Sequence, residues 1–449
     1  MLRSMNDSLP FPPGFTWGTA TSAFQIEGAA SADGKGPSIW DTFCHTPGRI
    51  LDASTGDVAC DHYHRYQEDV DLMASLGVDA YRFSMAWARV QPDGKGDWNE
   101  AGFEFYDRLL AALEAKGIAA HVTLYHWDLP QGLQDDGGWL ARDTAYRFAD
   151  YAREVARRFG HRLATIATHN EPWCTANLGY GNAQFAPGVA DAKSAIQVSH
   201  HLLLSHGLAM TAMREVASPA QLGIVLNQWT ADAATDSQAD RDLAAFEYSR
   251  SVEWFMDPIF KGHYPDLALR VHGANAPQVE DGDMAAIHQP IDFLGVNYYF
   301  RAWCSAATPP VPAPALQGTT DMGWEIYPQG LTELLLKLKD AYPLPPIYIT
   351  ENGMASADQP VDGWVIDTDR IDFVQRHLGA LHAAMQQGVD VQGYFLWSLL
   401  DNFEWNSGYA KRFGIVHVDY ATQQRTPKAS ALWYRDFVAA RRLQASATP

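Results

Sequence analysis

A chain of 449 residues that is 47% hydrophobic and only 19% charged can bury a large core and does not read as disordered. Its formal charge of -20, with 33 Lys and Arg spread along the chain, argues against a nucleic-acid partner, which needs clustered cations, and points to a neutral substrate. Four widely spaced cysteines, Cys44, Cys60, Cys174 and Cys304, make no CxxC pair and no disulfide framework, so all four are expected to be free thiols.

The opening residues MLRSMNDSLPFPPGF lack the apolar core and cleavage site of a signal peptide. No apolar run reaches the roughly 18 residues of a membrane span, so the expectation is a soluble, cytoplasmic protein without a membrane partner. Residues 1–8 are expected to form a disordered extension, 9–444 a single catalytic domain and 445–449 a tail.

Eight short β-branched and aromatic runs follow in chain order: FTWGTAT from Phe15, AYRFSMAW from Ala80, AAHVTLYHW from Ala119, TIATHNEP from Thr165, LGIVLNQW from Leu222, DFLGVNYYF from Asp292, PIYITENG from Pro346 and VQGYFLWSLL from Val391. Most gaps hold amphipathic helical text, such as GFEFYDRLLAALEAKG from Gly102 and DTAYRFADYAREVARRFG from Asp143. Strand and helix alternating eight times predict an α/β fold, one (β/α)8 barrel with elaborated βα loops. The Pro- and Ala-rich TPPVPAPALQG from Thr308 falls between the sixth and seventh strands and reads as a long βα loop at the rim.

Barrel chemistry gathers where the βα loops form the mouth, at the C-terminal ends of the strands. Polar and aromatic residues concentrate there: Tyr125-His126-Trp127, Asn170-Glu171-Pro172, Asn297-Tyr298-Tyr299, Glu351-Asn352-Gly353, and Trp397 leading to Glu404-Trp405. Glu171 and Glu351, at the ends of strands four and seven, could meet across that mouth. Two carboxyls about 5 to 5.5 Å apart are what hydrolysis of a glycosidic bond with retention requires, one to protonate the leaving oxygen and one to attack the anomeric carbon. Pro172 stops the strand ladder after Glu171, and a bulge there would aim Asn170 and Glu171 inward.

These runs resemble glycoside hydrolase family 1. Thr168-His169-Asn170-Glu171-Pro172 is similar to its acid/base motif and Ile349-Thr350-Glu351-Asn352-Gly353 to its nucleophile motif. FTWGTATSAFQIEG, from Phe15 to Gly28, resembles its opening signature, and the likeness runs to about Tyr434. The resemblance implies a retaining β-glucosidase, with Glu171 as acid/base and Glu351 as nucleophile, taking a small β-glucoside and needing no cofactor or metal. His169 departs from the pattern, standing where an apolar or aromatic residue is usual; it reads either as a hydrogen-bonded core histidine or as a group that tunes Glu171.

Sugar hydroxyls need polar partners, and the C–H face of a pyranose favours an aromatic platform. The resemblance implies that Gln25, His126, Asn170, Glu404 and Trp405 hydrogen-bond the glycone over a floor formed by Trp397. It further implies that Tyr299 donates to Glu351 with Arg82 alongside, that Asn297 belongs to the same group, and that Trp324 is a platform at the entrance. The Glu171 carboxyl should titrate above the usual value of about 4.3, chiefly because Glu351 is a like charge, with loss of water second.

Relatives that take 6-phosphorylated sugars usually carry a small hydroxyl residue in place of Glu404 and Tyr in place of Phe413, because a carboxylate repels phosphate. Lys411 is present without those partners, so unphosphorylated β-glucosides are expected, with β-galactosides and β-fucosides secondary. The rival reading from another class, a non-catalytic glycan-binding barrel, is opposed by the presence of both glutamates. The pairs His62 and His64, and His200 and His201, lack a spacing that aims several ligands at one metal. The sequence leaves a homo-oligomer open.

Overall fold

The computed structural model describes residues 9–447. The disordered extension expected for 1–8 and the last two residues of the expected tail lie outside that range. Its strands are β1 (Thr16–Ala20), β2 (Ala80–Ser84), β3 (Ala119–Tyr125), β4 (Thr165–Asn170), β5 (Gln221–Asn227), β6 (Phe293–Asn297), β7 (Ile347–Asn352) and β8 (Val391–Trp397). Every neighbouring pair is parallel and β1 closes against β8, so the eight runs read from the sequence form one barrel.

Each strand is buried on both faces, which is why the runs read as nearly continuous apolar text. Outside lie the long helices α1 (His62–Ser75), α2 (Glu100–Ala115), α3 (Asp143–Phe159), α4 (Ala192–Glu215), α5 (Trp254–Lys261), α6 (Gln329–Ala341), α7 (Thr368–Gln386) and α8 (Ala429–Ala447). In α3, Phe148, Tyr151, Ala152, Val155 and Phe159 fall at helical spacing and are buried, while Asp143 opens the helix and Arg157 and Arg158 close it, each favourable to the helix dipole. Asp191 caps α4, accepting from the backbone N–H of Lys193 and Ser194. The last helix runs on to Ala447, past residue 444.

Two features that the sequence did not signal hold the mouth in place. Ala231–Ala233 pairs in parallel with Ala302–Cys304, tying together the loops after β5 and β6. After β8, buried Asp401 accepts from Lys428 Nζ at 2.7 Å, Arg412 Nη1 at 2.7 Å and the Gly414 N–H at 3.0 Å. A buried carboxylate is tolerated only when paired in this way, and the pairing fixes the turn that leads to Glu404. The stretch from Thr308 is indeed loop, ending near Trp324.

Candidate active site

Glu171 reaches the mouth through an irregularity in the sheet. Between β4 and β5 the register runs Ala167 to Gly223 and then Asn170 to Val225, a bulge that turns the end of β4. Glu171 follows in the left-handed region, φ 49°, and Pro172 then opens a short helical turn. Trp127, φ 79°, and Trp405, φ 49°, share this conformation. A bulky residue held there costs on the order of 1 kcal/mol or more, and three of them line one cavity, the signature of a functional site rather than of a folding requirement. Gly353 serves the same end on β7: a Cβ there would collide with the Trp397 carbonyl oxygen, so only glycine lets the ends of β7 and β8 close behind Glu351.

A continuous hydrogen-bond network joins the two glutamates. Arg82, on β2, donates to Glu351 Oε1 at 2.7 Å and to Asn170 Oδ1 at 2.7 Å. Tyr299 donates to Glu351 Oε2 at 2.7 Å. Asn297 Nδ2 donates to Glu171 Oε1 at 2.6 Å and to Asn170 Oδ1 at 3.0 Å, and its own Oδ1 accepts from Thr350. With Arg82 and Asn297 both donating to Asn170 Oδ1, Asn170 Nδ2 is the donor to His126 Nε2 at 3.2 Å. His126 therefore carries its proton on Nδ1, a buried atom with no partner among the described residues. Burial holds this imidazole far below its ordinary titration range, with the Arg82 charge adding to the effect, so it stays neutral.

Behind Glu404, Gln25 Nε2 contacts Asn402 Oδ1 at 2.9 Å, the Phe403 carbonyl at 3.0 Å and Glu404 Oε2 at 3.3 Å, while Gln25 Oε1 accepts from Ser22. Trp397 and Trp405 lie nearly parallel to the His126 ring, with centroids 5.7 and 5.9 Å from it. The cavity, about 390 Å³, is lined by His126, Glu171, Asn297, Tyr299, Trp324, Glu351, Trp397, Glu404, Trp405 and Phe413 among others; Gln25, Asn170 and Arg82 are buried and hydrogen-bonded to its residues, to Glu404, His126 and Glu351 respectively. Trp324 packs 5.4 Å from Tyr299 and 6.1 Å from Phe413. Lys411 is occupied by Asp321, at 3.0 Å.

Loss of water is the largest influence on Glu171 and raises its carboxyl well above the carboxylate range; the like charge of Glu351 comes second, against the lowering effect of Asn297, Cys174 and Arg82. This reverses the order expected from the sequence. Glu171 is only 6% exposed, and Arg82 offsets part of the repulsion from Glu351. Burial likewise raises Glu404 and keeps Tyr299 a phenol that can donate. His169 is the hydrogen-bonded core histidine of the two readings: it pairs with Ser205 at 2.7 Å and stacks on Phe148, centroids 4.6 Å apart.

The cavity also holds residues that sequence reasoning passed over. Asn227, Gln228 and Trp229 leave the end of β5, and Trp173, Cys174 and Leu178 follow Glu171. The strand-end rule applied to LGIVLNQW would have found the first three. Cys174 was weighed only as a thiol in search of a disulfide, although its position three residues beyond Glu171 puts both on one side of a helical turn. All four cysteines are free and buried, and among the described residues no helix is long and apolar enough to cross a membrane.

A family model described as glycosyl hydrolase family 1 matches residues 7–443. A β-glucosidase of Agrobacterium sp. is 46% identical, the match covering 94% of this chain and 94% of the relative. A bifunctional β-D-glucosidase/β-D-fucosidase of Bifidobacterium breve is 46% identical over 96% of this chain and 98% of its own. Among solved structures, a β-glucosidase from Thermotoga maritima in complex with deoxynojirimycin is similar with a TM-score of 0.92 at 44% identity, covering 96% of this chain and 99% of that one.

Proposed function

Because the chain belongs to glycosyl hydrolase family 1, we propose that it works as a retaining β-glucosidase with Glu171 as acid/base and Glu351 as nucleophile. It removes terminal β-D-glucosyl residues from aryl and alkyl glucosides and from cellobiose, with β-fucosides and β-galactosides as secondary substrates. The observation that carries the reading is the asymmetry between the two carboxyls. Glu351 receives Arg82 and Tyr299, one on each oxygen, as suits a group that attacks as an anion. Glu171 receives no cation directly and is raised by burial, as suits a group that must hold a proton near neutral pH.

In the first step Glu351 bonds to the anomeric carbon as Glu171 gives its proton to the departing oxygen. Forming the ester removes the charge of Glu351, which lowers Glu171's affinity for a proton, and Glu171 then takes one from the attacking water. Gln25, His126, Asn170, Glu404 and Trp405 hydrogen-bond the glucosyl unit over Trp397, and Trp324 receives the aglycone. Phe413, a residue without a hydroxyl, and Lys411, engaged by Asp321, favour an unphosphorylated sugar.

The deciding experiment is Glu171→Ala. Poor leaving groups should lose most activity, while dinitrophenyl glucoside, whose departure needs little protonation, keeps fast glycosylation and then stalls. Azide should restore turnover and yield β-glucosyl azide. Equal loss on both leaving-group classes without rescue, or an α-configured azide, would rule the assignment out.

A further inference from the structure

Cys174 sits at the end of the turn Pro172–Cys174, and its Sγ lies 3.1 Å from Glu171 Oε2. The two residues are also joined through the backbone, the Cys174 N–H donating to the Glu171 carbonyl at 2.9 Å. From β5, Asn227 Nδ2 approaches the same sulfur at 3.7 Å, on a lone pair, which leaves the S–H for Glu171. Both oxygens of Glu171 are thus held, Oε1 by Asn297 and Oε2 by Cys174.

We propose that Cys174 is a positioning residue for the acid/base, its S–H donating to Oε2 whenever that oxygen is ionised; the proposal rests on reading Glu171 as the acid/base. An amide NH2 only donates, so Asn297 makes Oε1 an acceptor in both halves of the reaction. The proton that moves is then carried on Oε2. A partner of Oε2 has to tolerate both states, and a thiol, a weak donor and weak acceptor, does so where a fixed cation would keep the carboxylate ionised throughout. In glycosylation the Oε2 proton passes to the glycosidic oxygen as the C–O bond breaks, and the S–H then donates to the freed lone pair. In deglycosylation Oε2 takes one proton from water as the water oxygen bonds to the anomeric carbon and the ester bond between that carbon and Glu351 breaks, returning Glu351 as a carboxylate. Cys174 keeps its own proton throughout, since burial and the neighbouring Glu171 charge hold the thiol far from ionising.

The test is the alkaline limb of kcat/KM on an aryl glucoside with a poor leaving group, which reports loss of the Glu171 proton in the free enzyme. The other charged or titratable groups that face Glu171 are Glu351 beyond β6, Arg82 on β2, Glu404 after β8 and Tyr299 after β6, and all are kept in the variants. Removing a donor that favours the ionised form makes Glu171 hold its proton longer. Cys174→Ala should therefore move the limb to higher pH by roughly half a unit, and Cys174→Ser, which restores an O–H donor, should bring it back to or below its original place. A purely structural role would lower thermal stability and kcat at every pH without moving the limb. A limb unmoved or shifted down in Cys174→Ala, or Cys174→Ser behaving as Cys174→Ala does, overturns the proposal. Glu171→Gln on 4-nitrophenyl glucoside separates the two readings: a limb that survives there removes the acid/base assignment and this proposal with it, whereas a limb lost there but indifferent to Cys174 removes this proposal alone.

Discussion

At the bottom of the cavity the polar groups are committed to one another: Arg82, Asn170, Asn297, Tyr299 and both glutamates share the network described above, and His126 Nδ1 is the spare buried nitrogen beside it. At the mouth the balance is reversed. Both polar atoms of Gln228 and the indole nitrogens of Trp173 and Trp229 are buried without a protein partner among the described residues, within a largely apolar wall of Leu178, Phe300, Met322 and Trp324. A saturated, rigid floor suits a sugar whose every hydroxyl has a fixed place, and the reacting atoms must be held there to a few tenths of an ångström. A wall with unspent donors and broad aromatic faces suits an aglycone that changes from substrate to substrate.

The comparison breaks most visibly at Glu351. Glu351→Gly should lower turnover of ordinary β-glucosides by on the order of 10⁴-fold or more, since no glycosyl-enzyme can form. It also strips buried Arg82 of its carboxylate, and breaking such a pair costs about 3–5 kcal/mol, so the melting temperature should fall with it. Glu351→Gln keeps a hydrogen-bonding oxygen in place and separates the two effects: it should be as inactive while losing less stability. Near-normal hydrolysis by either folded variant would end the nucleophile assignment.

Glu404→Ser should act on the floor more narrowly. The carboxylate pays for its burial with one long contact from Gln25 at 3.3 Å, so the free protein gains little from it. Two hydrogen bonds from its carboxyl group to sugar hydroxyls are worth together about 2 kcal/mol, which puts the loss in kcat/KM for aryl glucosides at roughly 30-fold. The melting temperature should hold steady or rise slightly. Unchanged kinetics with a lowered melting temperature would assign Glu404 to the fold instead of the sugar.

The barrel was legible because a parallel strand buried on both faces writes itself as an apolar run: seven of the eight runs contain their strands, and the fifth starts one residue inside its strand, at Leu222 instead of Gln221. Much of the floor was legible for a related reason: His126, Asn170, Glu171, Asn297, Tyr299 and Glu351 sit at or just past strand ends, where the polar interruption of an apolar run marks the mouth, whereas Gln25 and Arg82 lie off that pattern and were reached only through the family resemblance. What escaped depends on contacts between segments distant in the chain. No local pattern shows that Asp401 will be clasped by Lys428 and Arg412, or that Ala231–Ala233 will pair with Ala302–Cys304. The order of influences on Glu171 was misjudged for the same reason, since the degree to which aromatic loops exclude water is a property of the closed cavity. The mouth was least legible because loops carry no period to read.

The smallest expected effect tests the mouth directly. Gln228 is 2% exposed and its amide has no partner among the described residues, so in the free enzyme it carries an uncompensated cost of burial. Gln228→Ala should then leave the melting temperature unchanged or slightly higher, the opposite of what loss of a structural hydrogen bond would do. When an aglycone brings a hydroxyl to the amide, one neutral hydrogen bond of about 1 kcal/mol is gained, and its loss should lower kcat/KM about fivefold. The effect should fall on KM, because the contact lies away from the breaking bond and serves ground state and transition state alike. Cellobiose, whose aglycone is a second sugar, should show it, and phenyl glucoside, whose aglycone has no hydroxyl, should not. Equal losses on the two substrates would mean that Gln228 supports the floor, and the division between a committed bottom and an uncommitted mouth would have to be redrawn at β5.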